Sequence, residues 1–260
     1  MSISRRGFLG VVPAVGFLGS SQASEVPRTG TSNPRFPAHD DESVKDVVGA
    51  SHGNIARVKE LVTARPALAR ASWDWGFGDW ETPIDAASHV GNRPIAEFLI
   101  ANGARPTIFT AVMMGQLAIV KALFEATPGL QRMRGPHGLT MMMHARAGGP
   151  GAADVLKYLD AFGDADPRYP DVPLTDGEQA AIVGEYAFGS GPTERFTIAK
   201  GPRGFTIQRP GQSERTLFHH GGLVFNPPGP EAVRIRFTGA GRIDAVVIDD
   251  GPVQTRATRA

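Results

Sequence analysis

The sequence predicts a multidomain α plus β protein, in which helical hairpins come first and a small antiparallel β meander or barrel follows. Segment 43–166 repeats a pattern of small, glycine and apolar residues at helical spacing. After about residue 182, apolar residues alternate with polar ones, which is the period of a strand. The chain has 260 residues, of which 41% are hydrophobic and 20% charged. That composition supports one or two folded domains.

The first 23 residues are typical of an export signal. Arg5 and Arg6 precede an apolar stretch from Phe8 to Gly19, which is too short for a membrane span of about 20 residues. The run 4–9 (Ser-Arg-Arg-Gly-Phe-Leu) resembles the bacterial twin-arginine signal. A general secretory signal is the alternative. The resemblance implies a bacterial protein that is periplasmic or otherwise exported. Ser21-Gln22-Ala23 fits a small-x-small cleavage site, so cleavage is expected after Ala23. The stretch that follows is rich in Pro, Ser, Thr and Gly, which predicts a flexible linker over 24–42.

The middle segment carries four copies of one pattern. The clearest copy starts at Thr82-Pro83, continues through Ala86-Ala87 to Gly91, and has a second apolar stretch at 95–99. Thr82 can cap a helix, Pro83 suits its first turn, and Gly91 can adopt the left-handed conformation that ends it. The other copies lie near 50–62, 110–124 and 138–166. Each copy therefore predicts a pair of antiparallel helices.

This pattern resembles the ankyrin repeat, whose core reads Thr-Pro-Leu-His-x-Ala. The resemblance implies an α-solenoid of about four repeats over 43–166, with one continuous core and a concave surface for binding another protein. The spacing departs from the family pattern: Gly53 to Gly91 is longer than a repeat, and Gly91 to Gly115 is shorter.

The C-terminal part is predicted to be an antiparallel β domain over 177–260, after a proline-rich connector over 167–176. Short apolar-alternating runs are separated by Gly and Pro turns about every ten residues. The start of this part, residues 182–186 (Ile-Val-Gly-Glu-Tyr), resembles the small β domain appended to β-lactamase-like serine hydrolases. In that family the appended domain is not the catalytic one.

Composition and motifs argue against several function classes. The formal charge is +1 with no block of like charge, so no nucleic-acid partner is expected. The absence of cysteine excludes thiolate metal sites and a cysteine nucleophile. Neither a nucleophile elbow nor a P-loop occurs, so we predict no catalytic residue and no cofactor.

His219 and His220 are strand neighbours that point to opposite faces, so no metal site is predicted there. The histidines of the repeats, His52, His89 and His144, are expected to make structural hydrogen bonds.

The most informative cluster is aromatic. All three tryptophans and one phenylalanine fall within eight residues, next to glycines that favour an extended finger: Trp73, Trp75, Phe77 and Trp80. Large aromatic side chains on a protruding finger are good anchors for a protein partner. The alternative is that they fold back over the first repeat as a cap.

The sequence therefore predicts an exported, non-catalytic protein that binds another periplasmic protein through its fingers and concave helical face. The alternative is a protein that binds a small apolar ligand, or assists a hydrolase, through the inner face of the β domain.

Overall fold

The computed structural model describes residues 38–230, 232–240 and 242–260. The predicted signal peptide, its cleavage site and all but the end of the linker lie outside these residues. The export prediction therefore stays a prediction.

Eight short helices form the N-terminal half of the described chain. They pack as four successive antiparallel pairs: α1 (Asp41–Ala50) with α2 (Ile55–Ala64), α3 (Pro83–His89) with α4 (Arg93–Ala101), α5 (Ile108–Met113) with α6 (Leu117–Ala126), and α7 (Met141–Ala147) with α8 (Ala153–Asp160). A two-stranded hairpin, β1 (Trp73–Asp74) and β2 (Trp80–Glu81), stands between the first and second pairs. Single 3₁₀ turns occupy Pro66–Arg70, Leu130–Arg132, Pro136–Gly138 and Gly149–Ala152.

Polar residues fix where these helices begin. The side chains of Thr82, Thr107 and Thr140 each accept a hydrogen bond from the backbone N–H three residues later, at the start of α3, α5 and α7. Such caps satisfy N–H groups that have no partner within the helix. Gly91 follows α3 with φ of 73° and lies so close to Ala147 that an added Cβ would meet its carbonyl oxygen at 2.0 Å. The glycine therefore serves both the turn and the packing of α7.

The C-terminal half is a closed antiparallel barrel of eight strands in the order β10-β3-β4-β5-β6-β7-β8-β9. The strands are β3 (Gly184–Ala187), β4 (Arg195–Gly201), β5 (Gly204–Gln208), β6 (Arg215–Gly221), β7 (Val224–Asn226), β8 (Arg234–Thr238), β9 (Ala245–Asp250) and β10 (Val253–Arg259). Thr258 pairs with Ala187, so the last strand closes onto the first. Closure leaves no strand edge unpaired.

The barrel interior is filled by the chain's own apolar side chains. The largest are fully buried aromatic residues: Tyr186, Phe196 and Phe225. Helix α9 (Asp176–Ile182) leads into β3, and its last residue, Ile182, is buried in the same core. The Tyr186 hydroxyl donates to the Ile182 carbonyl at 2.9 Å, which ties α9 to the barrel wall.

The predicted fold class, an ankyrin-repeat α-solenoid followed by a small antiparallel β meander or barrel domain, is wrong. The structure has a helical N-terminal region and a closed eight-stranded barrel within one compact unit, His39–Ala260, and no helical solenoid is shown in the described residues. The helical region has two apolar clusters, one mainly from α1–α4 and one from α5–α8, where the solenoid requires one continuous core. Local capping and glycine patterns specify helix pairs, but they do not specify what the pairs pack against.

The β1–β2 hairpin joins the helical region to the barrel. Phe77, at its tip, packs against the apolar core of the barrel, and the Asp79 carboxylate pairs with Arg215 at the start of β6 at 2.8 Å. The connector also contributes, since the Val172 N–H donates to the His219 carbonyl at 2.9 Å. The candidate functional site lies at this junction.

Among the described residues, no helix combines the length and apolar character needed to cross a membrane.

Candidate functional site

Four side chains converge at the junction between the helical region and the barrel: His52, Glu81, His89 and His137. One ligating atom of each lies within 4.8 Å of all the others. We call this group the His₃Glu cluster. Glu81 is fully buried, whereas the three imidazoles are partly buried.

Four chain segments bring these residues together. His52 lies in the turn after α1, and His89 is the last residue of α3. Glu81 ends β2, where it pairs across the hairpin with Trp73. His137 lies in the 3₁₀ turn Pro136–Gly138. Since α1 and α3 pack against each other, their C-terminal ends place His52 and His89 side by side, with Nε2 atoms 3.1 Å apart.

All three imidazoles direct Nε2 at the Glu81 carboxylate. Nε2 lies 2.9 Å from Oε1 of Glu81 in His89 and 3.3 Å from the same oxygen in His137, and 3.6 Å from Oε2 in His52. The Trp75 indole N–H donates to Oε2 of Glu81 at 2.7 Å. This bond fixes the carboxylate orientation.

Two of the imidazoles are oriented by hydrogen bonds at Nδ1, the ring nitrogen that does not face Glu81. His52 Nδ1 lies 3.1 Å from the Gly49 carbonyl, and His137 Nδ1 lies 2.7 Å from Oδ2 of Asp79. Bonds of this kind fix the tautomer and leave Nε2 directed forward, which is the usual arrangement for histidines that ligate metals.

Asp79 is the central residue of this outer layer. Its side chain is only 1% exposed, and it accepts from the His137 backbone N–H at 2.8 Å as well as from Arg215. These bonds hold His137 at φ 59° and ψ 15°, a left-handed conformation that non-glycine residues seldom adopt. Such a conformation persists only where the surroundings enforce it, and it is typical of functional sites.

The charges of the cluster compensate one another. Burial disfavours the ionised form of Glu81, but hydrogen bonds from His137 and His89 outweigh it and lower the pKa to about 2. Burial also opposes protonation of His137, but the bonds to Asp79 and Glu81 raise its pKa to about 9. In the metal-free protein at neutral pH, protonated His137 and Arg215 therefore balance Asp79 and Glu81.

The donor set and its dimensions fit a divalent transition metal. Imidazole and carboxylate ligands suit zinc, iron, nickel and copper. In a tetrahedral site with bonds of 2.0–2.1 Å, neighbouring donors lie roughly 3.3 Å apart. The three distances from Nε2 to Glu81 and the distance between the Nε2 atoms of His52 and His89 run from 2.9 to 3.6 Å. An ion could therefore enter with only small displacements of the side chains.

A cavity of about 460 Å³ opens beside the cluster. His52 and His137 belong to both the cluster and the cavity lining. The rest of the lining comes from Lys45, residues 73–75 of the hairpin, residues 211–216 at the start of β6 and before it, and Pro228. The site is therefore reachable from a hollow of the size that binds small molecules.

The four aromatic residues proposed as partner anchors are placed differently from one another. Trp73 and Trp75 pack against the first helical cluster and line the cavity. Phe77 has a left-handed φ of 63° and contacts the barrel core. Of the four, only Trp80 is largely exposed, with 61% of its surface area accessible to solvent.

Sequence patterns did not predict the cluster. They indicated structural roles for His52 and His89, no role for His137 and no metal site. One weak signal was present: His52 directly precedes Gly53-Asn54, and His89 precedes Gly91-Asn92 with Val90 between them. Both histidines therefore lie near the C-terminal end of the first helix of a pair. The adjacent pair His219 and His220 lies elsewhere, bonded to Val172 and Asn226 respectively.

His144 lies next to the cluster but is not one of its members. Its ring centroid is 6.4 Å from that of His89, and its Nδ1 bonds to the Thr140 carbonyl at 2.8 Å. Burial lowers the pKa of His144 to about 4, so it stays neutral at physiological pH.

Comparisons of the chain with protein-family models, with curated proteins and with solved structures give no match. The ankyrin and hydrolase-domain resemblances therefore stay predictions about family.

Proposed function

We propose that this protein binds a divalent transition-metal ion through His52, His89, His137 and Glu81. The observation that carries the proposal is the convergence of three Nε2 atoms on one buried carboxylate. A buried glutamate needs only one cationic partner for charge balance, and an ion-pair network alone gives no reason for three imidazoles around it.

The outer contacts support the same function. The carboxylate–histidine pair of Asp79 and His137 and the carbonyl behind His52 are arranged to present lone pairs at Nε2. The donor set contains no sulfur, so zinc and the other borderline ions are favoured over copper(I). Zinc is the probe of choice because four nitrogen and oxygen donors satisfy its tetrahedral preference.

The test is a zinc titration of the purified protein by isothermal calorimetry, after removal of metal by a chelator. One equivalent is expected to bind the wild type. His52→Ala is expected to weaken binding by more than about 100-fold, and Asp79→Asn by about 10- to 100-fold, the range for a residue behind a ligand. His220→Ala removes a histidine of the barrel and is the matched control, with unchanged affinity.

Zinc binding of the same strength in wild type and His52→Ala, both folded by circular dichroism, would overturn the proposal. So would the absence of any one-equivalent binding. The visible spectrum of the cobalt(II) form gives a second readout, since its intensity reports the coordination number.

Protein binding through the hairpin is a second candidate function, and the exposed indole of Trp80 favours it. Trp73 and Trp75 face the helical cluster and the cavity, so Trp80 is the residue of this set to change. Affinity capture with wild type and Trp80→Ala tests it: a partner retained equally by both would count against this surface.

A further inference from the structure

The cavity beside the His₃Glu cluster has chemistry of its own. Its lining includes the half-buried indoles of Trp73 and Trp75 and the imidazoles of His52 and His137. Two indole rings in the lining favour a flat, unsaturated ligand body, because aromatic rings pack face to edge or in offset stacks.

A cationic group stands at the rim. Lys45 is exposed, and its Nζ lies 6.0 Å from the centre of the Trp73 ring. Within the described part of the chain, Lys45 has no carboxylate within ion-pair distance. This ammonium group next to an aromatic ring can therefore bind an anionic group of a ligand without first breaking an ion pair.

The other charged groups of the lining are accounted for. Arg215 is paired with Asp79. The Asp74 carboxylate accepts from the N–H groups of Gly76 and Gly78, at 2.8 and 3.1 Å, and so belongs to the hairpin turn. Glu214 is exposed at the mouth and opposes an anion.

A metal bound by the cluster would have four protein ligands, so a ligand from the cavity would be the fifth. Oε2 of Glu81 is engaged by the Trp75 indole, so this glutamate offers one oxygen, Oε1. Four-coordinate zinc sometimes expands to five ligands. Because His52 and His137 line the cavity, a fifth ligand would enter from the cavity.

Resting on the proposed metal function, we infer that the cavity binds a small planar carboxylate, with its ring against the indoles and its carboxylate bound by the metal and Lys45. The metal and the Lys45 ammonium group supply the positive charge that attracts the carboxylate, and the two tryptophans select for a flat ring. A carboxylate oxygen is a ligand that zinc accepts at 2.0–2.2 Å.

The experiment titrates zinc-loaded protein with benzoate and follows tryptophan fluorescence, since two of the three tryptophans of the chain line the cavity. Benzamide keeps the ring without the charge, and acetate keeps the charge without the ring. Saturable benzoate binding is expected, with benzamide and acetate at least about tenfold weaker. Metal-free protein should also bind benzoate at least about tenfold more weakly.

Two charge variants sharpen the test. Lys45→Met is expected to weaken benzoate binding about fivefold, and Glu214→Gln to leave it equal or tighter, since it removes the opposing charge at the mouth. Neither change should alter zinc affinity. Absence of benzoate binding, equal binding of benzamide, or unchanged binding in Lys45→Met would overturn the inference.

The zinc titration is read first, so the two failures are distinguishable. Zinc binding without benzoate binding refutes the cavity ligand alone. Failure of zinc to bind removes the proposed metal function and the inference with it.

Discussion

The ion pair between Asp79 and Arg215 is expected to hold the hairpin, and with it the His₃Glu cluster, against the barrel. The two side chains are 1% and 13% exposed and lie 2.8 Å apart. The perturbation is Arg215→Met, which keeps the aliphatic length and removes the charge. Asp79 would then stay buried with His137 as its remaining side-chain partner.

The magnitude follows from the burial of the carboxylate. Removing one partner of a buried pair costs about 3–5 kcal/mol, because the other charge is left uncompensated. Asp79 retains two bonds from His137, so we expect the lower end, about 3 kcal/mol. Arg256→Met is the control: its pair with Asp244 spans 4.0 Å with 58% and 67% exposure. We expect less than about 1 kcal/mol there.

The assay is urea unfolding of the metal-free protein at neutral pH, with the free energy of unfolding obtained by linear extrapolation. The double variant Asp79→Asn plus Arg215→Met should lose less than the sum of the single variants, because no charge is then left alone. A loss for Arg215→Met no larger than for Arg256→Met would refute the reasoning, and so would strict additivity in the double variant.

Three further predictions concern the pH dependence, the helix pairs and the hairpin tip. The pKa of His137 is raised from 6.5 to about 9, so its contribution to stability is fully present below pH 6.5 and is lost as the pH rises through 9. Urea unfolding of the metal-free protein should show that the free energy of unfolding falls by roughly 2–3 kcal/mol over that window. His137→Asn, which tolerates the left-handed backbone, should flatten this limb, and an identical fall in the variant would contradict the assignment. Gly91→Ala should lower the thermal midpoint and cost more than about 1 kcal/mol, because of its φ of 73° and the 2.0 Å approach to Ala147. Gly53→Ala, with no atom within 4 Å of the added Cβ, should stay within about 0.5 kcal/mol, and equal effects of the two changes would argue against the packing explanation. Trp80→Ala, at 61% exposure, should change stability by no more than about 0.5 kcal/mol and leave zinc affinity as it is; a larger loss would mean that this indole is part of the core.

The two halves of the chain differed in how far the sequence could predict them. In the helical half, Thr82, Pro83 and Gly91 indicate one helix and its end, and the structure has α3 there. These signals act through bonds between residues a few positions apart, so they are readable locally. The solenoid was wrong because it required a statement about how pairs assemble over long distances.

In the C-terminal half, the period-two alternation indicates strands, while closure depends on the pairing of Thr258 with Ala187. The inner-face ligand hypothesis depended on space within the barrel. That interior holds Tyr186, Phe196 and Phe225. How far a sheet closes, and what fills it, follows from the register and twist of all its strands together.

By itself the sequence determined where helices and strands form, because hydrogen bonding and side-chain periodicity within a short segment decide that. Only the tertiary structure decided that His52, Glu81, His89 and His137 meet, since they belong to four separate segments of the chain. Their meeting depends on the packing of α1 against α3, on the left-handed turn at His137, and on the Asp79–Arg215 pair that seats the hairpin on the barrel. These contacts join residues far apart in the chain, and no local pattern encodes them.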